Sequence, residues 1–119
     1  MADMEERIEL NYLLDFYGPL LTGHRQEVMR LYCEEDLSQQ EIADQLSITR
    51  QGVFDAIAKA KKQLAGYEAK LGLVRRWRAQ TAAAEECLSA LSGVQAAKGD
   101  APALEKARRA LENIIRDGV

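Results

Sequence analysis

Between Thr49 and Lys62 the stretch TRQGVFDAIAKAKK gathers side chains able to read and hold a polyanion. Arg50 or Gln51 can make paired hydrogen bonds to guanine or adenine edges, each worth roughly 1–3 kcal/mol of base discrimination, and Phe54 can meet a thymine methyl. Lys59, Lys61 and Lys62 follow one to two turns later, where phosphates would lie. Thr49 can hold a phosphate through its hydroxyl and the helix-terminal amide. Asp55 argues the other way, since a carboxylate in a groove repels phosphate unless it accepts from cytosine. These residues form the candidate nucleic-acid site; the same module could instead serve as a packing unit or a protein-docking surface.

Such a set works only if a helix turns it outward. Val53, Ile57, Ala60, Leu64 and Leu71 form one apolar stripe, Thr49 is placed to cap its start and Gly72 to stop it. The spacing therefore predicts a helix from Arg50 to Leu71, about 33 Å long at 1.5 Å per residue. Just before it, Ser38 and Glu41 make the S-x-x-E capping box, which starts a short helix at Gln39 with Ile42 and Leu46 inward. Ala43 is small where two helices crossing at about 90–120° approach closely, and Ile42, Leu46, Ile48, Val53 and Ala56 fill the wedge. The corner has Ser47 where glycine is common. Either Ser47 adopts a left-handed conformation at a cost of about 1 kcal/mol, or the turn is wider.

The flanking elements are helical too. Ile8, Tyr12, Leu13, Phe16 and Tyr17 give a first helix over 5–17 that stops at Gly18-Pro19. Thr22 caps a second, with Val28, Leu31 and Tyr32 on one face and an end near Glu35. Beyond Gly72, Val74, Trp77, Thr81, Ala84, Leu88 and Leu91 alternate by three and four in a heptad seam. After a looser segment from Gly93, Asp100 and Pro102 open a last helix with Leu104, Ala107, Leu111 and Ile114 inward. The expected fold is all-α: a helix–turn–helix bundle over 1–72, then long helices over 73–119. That tail is a hairpin that either covers one subunit's core or joins two copies of the chain.

Composition narrows the function. The chain has 119 residues and 47% hydrophobic content, room for one domain of ordinary size. With 18 alanines, 15 leucines and two prolines, helix is favoured over sheet or disorder. Cys33 and Cys87 have no second Cys or His at a metal-ligand spacing, so no metal is expected; they fit a reducing compartment. No export signal or span of about 20 apolar residues appears, so the expectation is a cytoplasmic protein without membrane contact. His24 is read as a surface residue, Cys33 as core, and Trp77, beside Arg75, Arg76 and Arg78, as a packing anchor ahead of a base-stacking platform. No phosphate loop, carboxylate pair or nucleophile constellation is present, so neither an enzyme nor a cofactor is expected. The net charge of −3 hides a strong asymmetry: residues 1–48 carry net −8, residues 49–78 net +6 and residues 79–119 net −1.

The pattern Leu37-Ser38-x-x-Glu41-Ile42-Ala43-x-x-Leu46-x-x-Thr49-Arg50-x-x-Val53-x-x-x-Ile57-x-x-Ala60 resembles the promoter-reading, region-four module of bacterial sigma factors. Over Glu9 to Leu73 the chain resembles the YlxM family of small helix–turn–helix proteins. That resemblance implies a cytoplasmic bacterial protein whose genes lie beside those of the signal recognition particle, acting in that pathway or as a regulator. The leading expectation is a DNA-binding transcription regulator that works as a homodimer. The rival is an accessory protein touching signal recognition particle RNA or its GTPase through the basic window Lys59 to Arg78.

Overall fold

The computed structural model describes residues 4–117: six α-helices and one 3-10 turn, with no strand among the described residues. They are α1 (Met4–Tyr17), the turn Gly18–Leu20, α2 (Gly23–Cys33), α3 (Gln39–Leu46), α4 (Arg50–Leu71), α5 (Leu73–Ser92) and α6 (Ala101–Asp117). The chain divides into two compact units, the first ending at Val74 and the second beginning at Arg75.

In the first unit α4 is the central strut, packed against α1, α2 and α3. Val53, Ile57, Ala60 and Leu64 are buried as the apolar stripe predicts, but Leu71, which the same spacing placed in the stripe, is 45% exposed, because α4 runs on past its last buried position, Leu64, before ending there. On α1 the face differs from expectation. Leu10, Leu13, Leu14 and Tyr17 are buried, whereas Ile8 is 43% exposed and Tyr12 and Phe16 pack at the rim. The helix has two apolar stripes, and the leucine-rich one fills the core. On α2, Met29 joins Val28 and Leu31 inside, and Tyr32 is only partly buried. The helix ends at Cys33, two residues before the expected Glu35. Asp36 turns left-handed at φ 55° and its carboxylate grips Arg7 at 2.6 Å.

The helix–turn–helix corner is built by caps. Thr22 accepts from the Arg25 N–H to start α2. Ser38 Oγ accepts from the Glu41 N–H at 3.1 Å while Glu41 Oε1 accepts from the Ser38 N–H at 3.0 Å. Those hydrogen bonds hold the Glu41 carboxyl below its ordinary range. Ser47 settles the open alternative: it is left-handed, at φ 57° and ψ 43°, and Ile48 donates back to the Ala43 carbonyl at 3.0 Å. Ala43 is buried at the crossing. Thr49 Oγ1 then accepts from the Gly52 N–H at 2.9 Å to start α4.

At its other end α4 stops at Gly72, left-handed at φ 62°, whose N–H closes on the Glu68 carbonyl at 2.8 Å. α5 begins at the next residue, so its first amides need partners at once. The buried Tyr17 supplies one: its hydroxyl accepts from the Leu73 N–H at 3.1 Å and donates to Glu68 Oε1 at 2.6 Å. Glu68 Oε1 also accepts from the Val74 N–H at 3.0 Å. Burial, and then the adjacent carboxylate, push the Tyr17 hydroxyl's pKa up.

The second unit comprises the rest of α5, a loop and α6. Trp77, Thr81, Leu88 and Leu91 are half-buried and Ala84 buried, while every other α5 position from Arg75 on is exposed, so the heptad seam falls where its spacing puts it. On α6 the seam is rotated by about half of one residue's 100° step. Leu104 and Leu111 are half-buried as expected, but Arg108 and Ile115 replace Ala107 and Ile114, which are exposed. The arginine's aliphatic stem can lie along the seam while its guanidinium stays in water.

Two measurements check this account. Ser47→Gly should raise stability by about 0.5–1 kcal/mol in urea unfolding, because glycine adopts the left-handed turn without the Cβ penalty. Tyr17→Phe should lower it by about 1–3 kcal/mol by stranding the Leu73 amide and one Glu68 acceptor, and a double-mutant cycle with Glu68→Ala should show strong coupling.

Candidate nucleic-acid interface

The corner decides which side of α4 looks outward. At about 100° per residue, Gln51, Asp55 and Ala58 lie on the arc opposite Val53, Ile57, Ala60 and Leu64, and Phe54 lies at its side, about a quarter turn from the stripe. Arg50 stands at one margin of that arc and Lys59 at the other, and Lys62 continues its centre one turn further on. All of these outward residues are exposed, and Phe54 presents an aromatic ring at 54% exposure. Arg50, Lys59 and Lys62 make no ion pair with a described residue.

Thr49 is exposed; its oxygen accepts the capping bond from Gly52, and its hydroxyl proton stays available to donate outward. The cap also explains Gly52, where a Cβ would sit 3.1 Å from Thr49 Oγ1. Gln51 and Asp55 are not independent: Gln51 Nε2 donates to Asp55 Oδ1 at 3.0 Å.

Lys61 does not share this surface. It is half-buried, 3.5 Å from Glu6 and 5.8 Å from the centre of the Tyr32 ring, with Arg7 also over that ring at 5.5 Å. The signal for this was in the spacing, because Lys61 stands four residues after Ile57 and three before Leu64, at the edge of the buried stripe. Its partners Glu6, Arg7 and Tyr32 come from distant sequence and could not be read there. Together with Arg50, Asp36 and Glu41 they line an open groove of about 770 Å³ whose charges are mixed in sign.

The basic window of the sequence is thus divided. Lys59, Lys62 and Lys70 are exposed on α4, Lys61 turns toward α1, and Arg75, Arg76 and Arg78 belong to the second unit. His24 is exposed on the first turn of α2. Cys33 is partly buried beside the core, and desolvation pushes its thiol pKa up to about 11 against the opposing pull of Arg7 and Lys61. No cluster of three or more metal-ligating side chains occurs among the described residues, and no helix among them is long and apolar enough to cross a membrane.

Residues 4–99 match the family described as "Putative helix-turn-helix protein, YlxM / p13 like". Similar relatives include a UPF0122 protein of Desulforamulus reducens, 41% identical over 94% of this chain and 95% of its own length. Another, from Acetivibrio thermocellus, is 37% identical over 94% of this chain and 98% of its own length. A UPF0122 protein of Clostridium acetobutylicum is 49% identical over 63% of this chain and 65% of its own length. No solved structure gives a significant match. The chain belongs to the YlxM / p13-like helix–turn–helix family.

The thiol environments give a direct check on the packing of α1 over α2. With its pKa near 11, Cys33 is ionised on the order of one part in a thousand at pH 8. Iodoacetamide at pH 8 should therefore modify exposed Cys87 well before Cys33, and the Cys33 rate should climb about tenfold per pH unit until near its pKa. Equal rates at pH 8 would show that α1 does not cover Cys33.

Proposed function

We propose that the chain is a non-enzymatic, DNA-binding regulatory protein that lays the first turns of α4 in a major groove. The observation that carries this reading is the division of α4. Its inner face from Val53 to Leu64 is used by the core, while its outer arc displays Gln51, Phe54 and Asp55 between the marginal cations Arg50 and Lys59. Base edges lie at the centre of a groove and phosphates along its walls, so this order of side chains fits a duplex. Lys62 adds a phosphate contact where the helix leaves the groove, and Thr49 adds one from its hydroxyl.

The protein works as a homodimer joined through α5 and α6. Among the described residues of the second unit only Ala84 is buried, and Leu88, Leu91, Leu104, Leu111 and Ile115 remain half-exposed. A lone helical hairpin is marginal in water, and a second copy would cover this stripe in a four-helix arrangement. Two copies of α4 would then address half-sites about 34 Å apart, in the cytoplasm where the DNA lies. The rival, binding to signal recognition particle RNA or its GTPase through Lys59 to Arg78, has less support. That window is split between the two units, and Lys61 already holds Glu6.

Fluorescence polarisation on duplex DNA from upstream of the protein's own operon, titrated over salt, tests the reading. Arg50→Ala, Lys59→Ala and Lys62→Ala should each weaken binding and lower the log–log salt slope by about 0.9, while Lys61→Ala should leave the slope nearly unchanged. Absence of binding at about 50 mM salt would defeat the DNA reading. Displacement of the duplex by particle RNA at far lower concentration would favour the rival.

A further inference from the structure

The hydrogen bond between Gln51 and Asp55 has a meaning of its own if α4 enters a groove, and the inference drawn from it rests on that reading. We infer that Asp55 is a positioning residue that fixes the Gln51 amide for adenine, making the site of each α4 an A·T pair.

A glutamine amide offers two N–H donors and one carbonyl acceptor. One donor is taken by Asp55 Oδ1 at 3.0 Å. What remains is one N–H and one C=O, held by the anchored nitrogen instead of rotating freely. Adenine presents this complement in the major groove, N7 as acceptor and the N6 amino group as donor. Guanine presents two acceptors, N7 and O6, so a tethered Gln51 could satisfy only one and would set its carbonyl against the other. Without the tether the amide could turn both ways, and the preference between purines would weaken.

Three further features agree. Gln51 is the second residue of α4, in the first turn, the part of a recognition helix that reaches base edges. Phe54 stands three residues on along the same exposed arc, and the thymine methyl is the apolar group that an A·T pair offers in the major groove. Asp55 is itself exposed and lies in the arc between Arg50 and Lys59, one turn before Lys59, whose ammonium can offset its charge near a phosphate. A carboxylate that would count against phosphate contact thereby acquires a role that needs no phosphate near it.

The test is selection of duplexes from a library randomised over about one half-site, using the full-length protein and its variants, with binding to a fixed unselected duplex measured in parallel. Wild type should select adenine at one position per half-site by about tenfold over guanine, and Gln51→Ala should lose that preference. Asp55→Ala should reduce it to under about threefold while binding the unselected duplex at least as tightly, because a negative charge has gone. Asp55→Asn should restore adenine selection, since an amide oxygen still accepts from Gln51 Nε2. Asp44→Ala breaks a similar pair on α3, with Gln40 at 3.0 Å, and should leave the selected sequence unchanged. Full adenine preference in Asp55→Ala, or equal loss in Asp55→Ala and Asp55→Asn, would overturn the positioning role while DNA binding stands. Failure of wild type to bind the unselected duplex at low salt would overturn the DNA reading itself and this inference with it.

Discussion

The close crossing of α3 and α4 is the constraint from which the rest follows. Ala43 is buried where the two helices meet, and a larger side chain there would push them apart in an interior that is packed nearly as densely as a crystal. Reaching the crossing in three residues requires a reversal at Ser47, which accepts an unfavourable left-handed conformation to make it. Once the corner is closed, Val53, Ala56 and Ile57 must face α3, and Gln51, Phe54 and Asp55 must face water. The rotation of α4 about its axis, and so the identity of every residue it can offer a partner, is set by a methyl group.

The length of α4 has a second determinant. An interface helix needs only two or three turns, yet α4 runs 22 residues. Its later turns bury Ala60 and Leu64 against α1 and α2 and deliver Glu68 to Tyr17. That pair does for the start of α5 what Ser38 and Thr49 do for α3 and α4: it supplies acceptors to amides that have no partner within the helix. The difference is that Tyr17 comes from α1, so the ending of one helix and the beginning of the next are tied to the core rather than to a neighbouring loop residue. Because Tyr17 is buried, its hydroxyl would be costly without these partners, and the same contacts that satisfy it fix the one-residue break at Gly72.

Much of this was written plainly in the sequence. Local devices were legible: the capping box at Ser38, the caps at Thr22 and Thr49, the stop at Gly72, the length of α4 and the α5 seam all depend on residues within a turn or two of one another. What failed to show depends on competition between faces or on distant partners. On α1 two apolar stripes compete, and only the arrangement of α2 and α4 decides that Leu10 and Leu14 outrank Ile8. On α6 the seams through Ile114 and Ile115 share Leu104 and Leu111 and differ in direction by only about 50°, too small a difference for a three-four pattern to resolve. Within the candidate site, the exposure of Arg50, Gln51, Phe54, Asp55, Lys59 and Lys62 followed from the stripe opposite them. For Lys61 the spacing showed only a place at the edge of that stripe; its partners Glu6 and Tyr32, more than 25 positions away, were not legible.

The net charge of −3 is a poor guide to what such a surface can bind. Interactions beyond about 8–10 Å are screened at physiological salt, so the charges near the outer arc of α4 matter more than the sum over the chain. Several acids of the first unit have structural partners: Glu6 holds Lys61, Asp36 holds Arg7, Glu27 and Glu35 hold Arg30, and Glu41 caps α3. Exposed ion pairs of this kind add only about 0–1 kcal/mol each to stability, but they decide where charge is left over. On α4 the cations Arg50, Lys59 and Lys62 have no such partner among the described residues, and the acid among them, Asp55, is engaged by Gln51. The acidic excess and the basic helix are therefore consistent with one design, in which several of the acids serve the fold and the uncommitted positive charge stands at the margins of the face that the proposed function places in a groove.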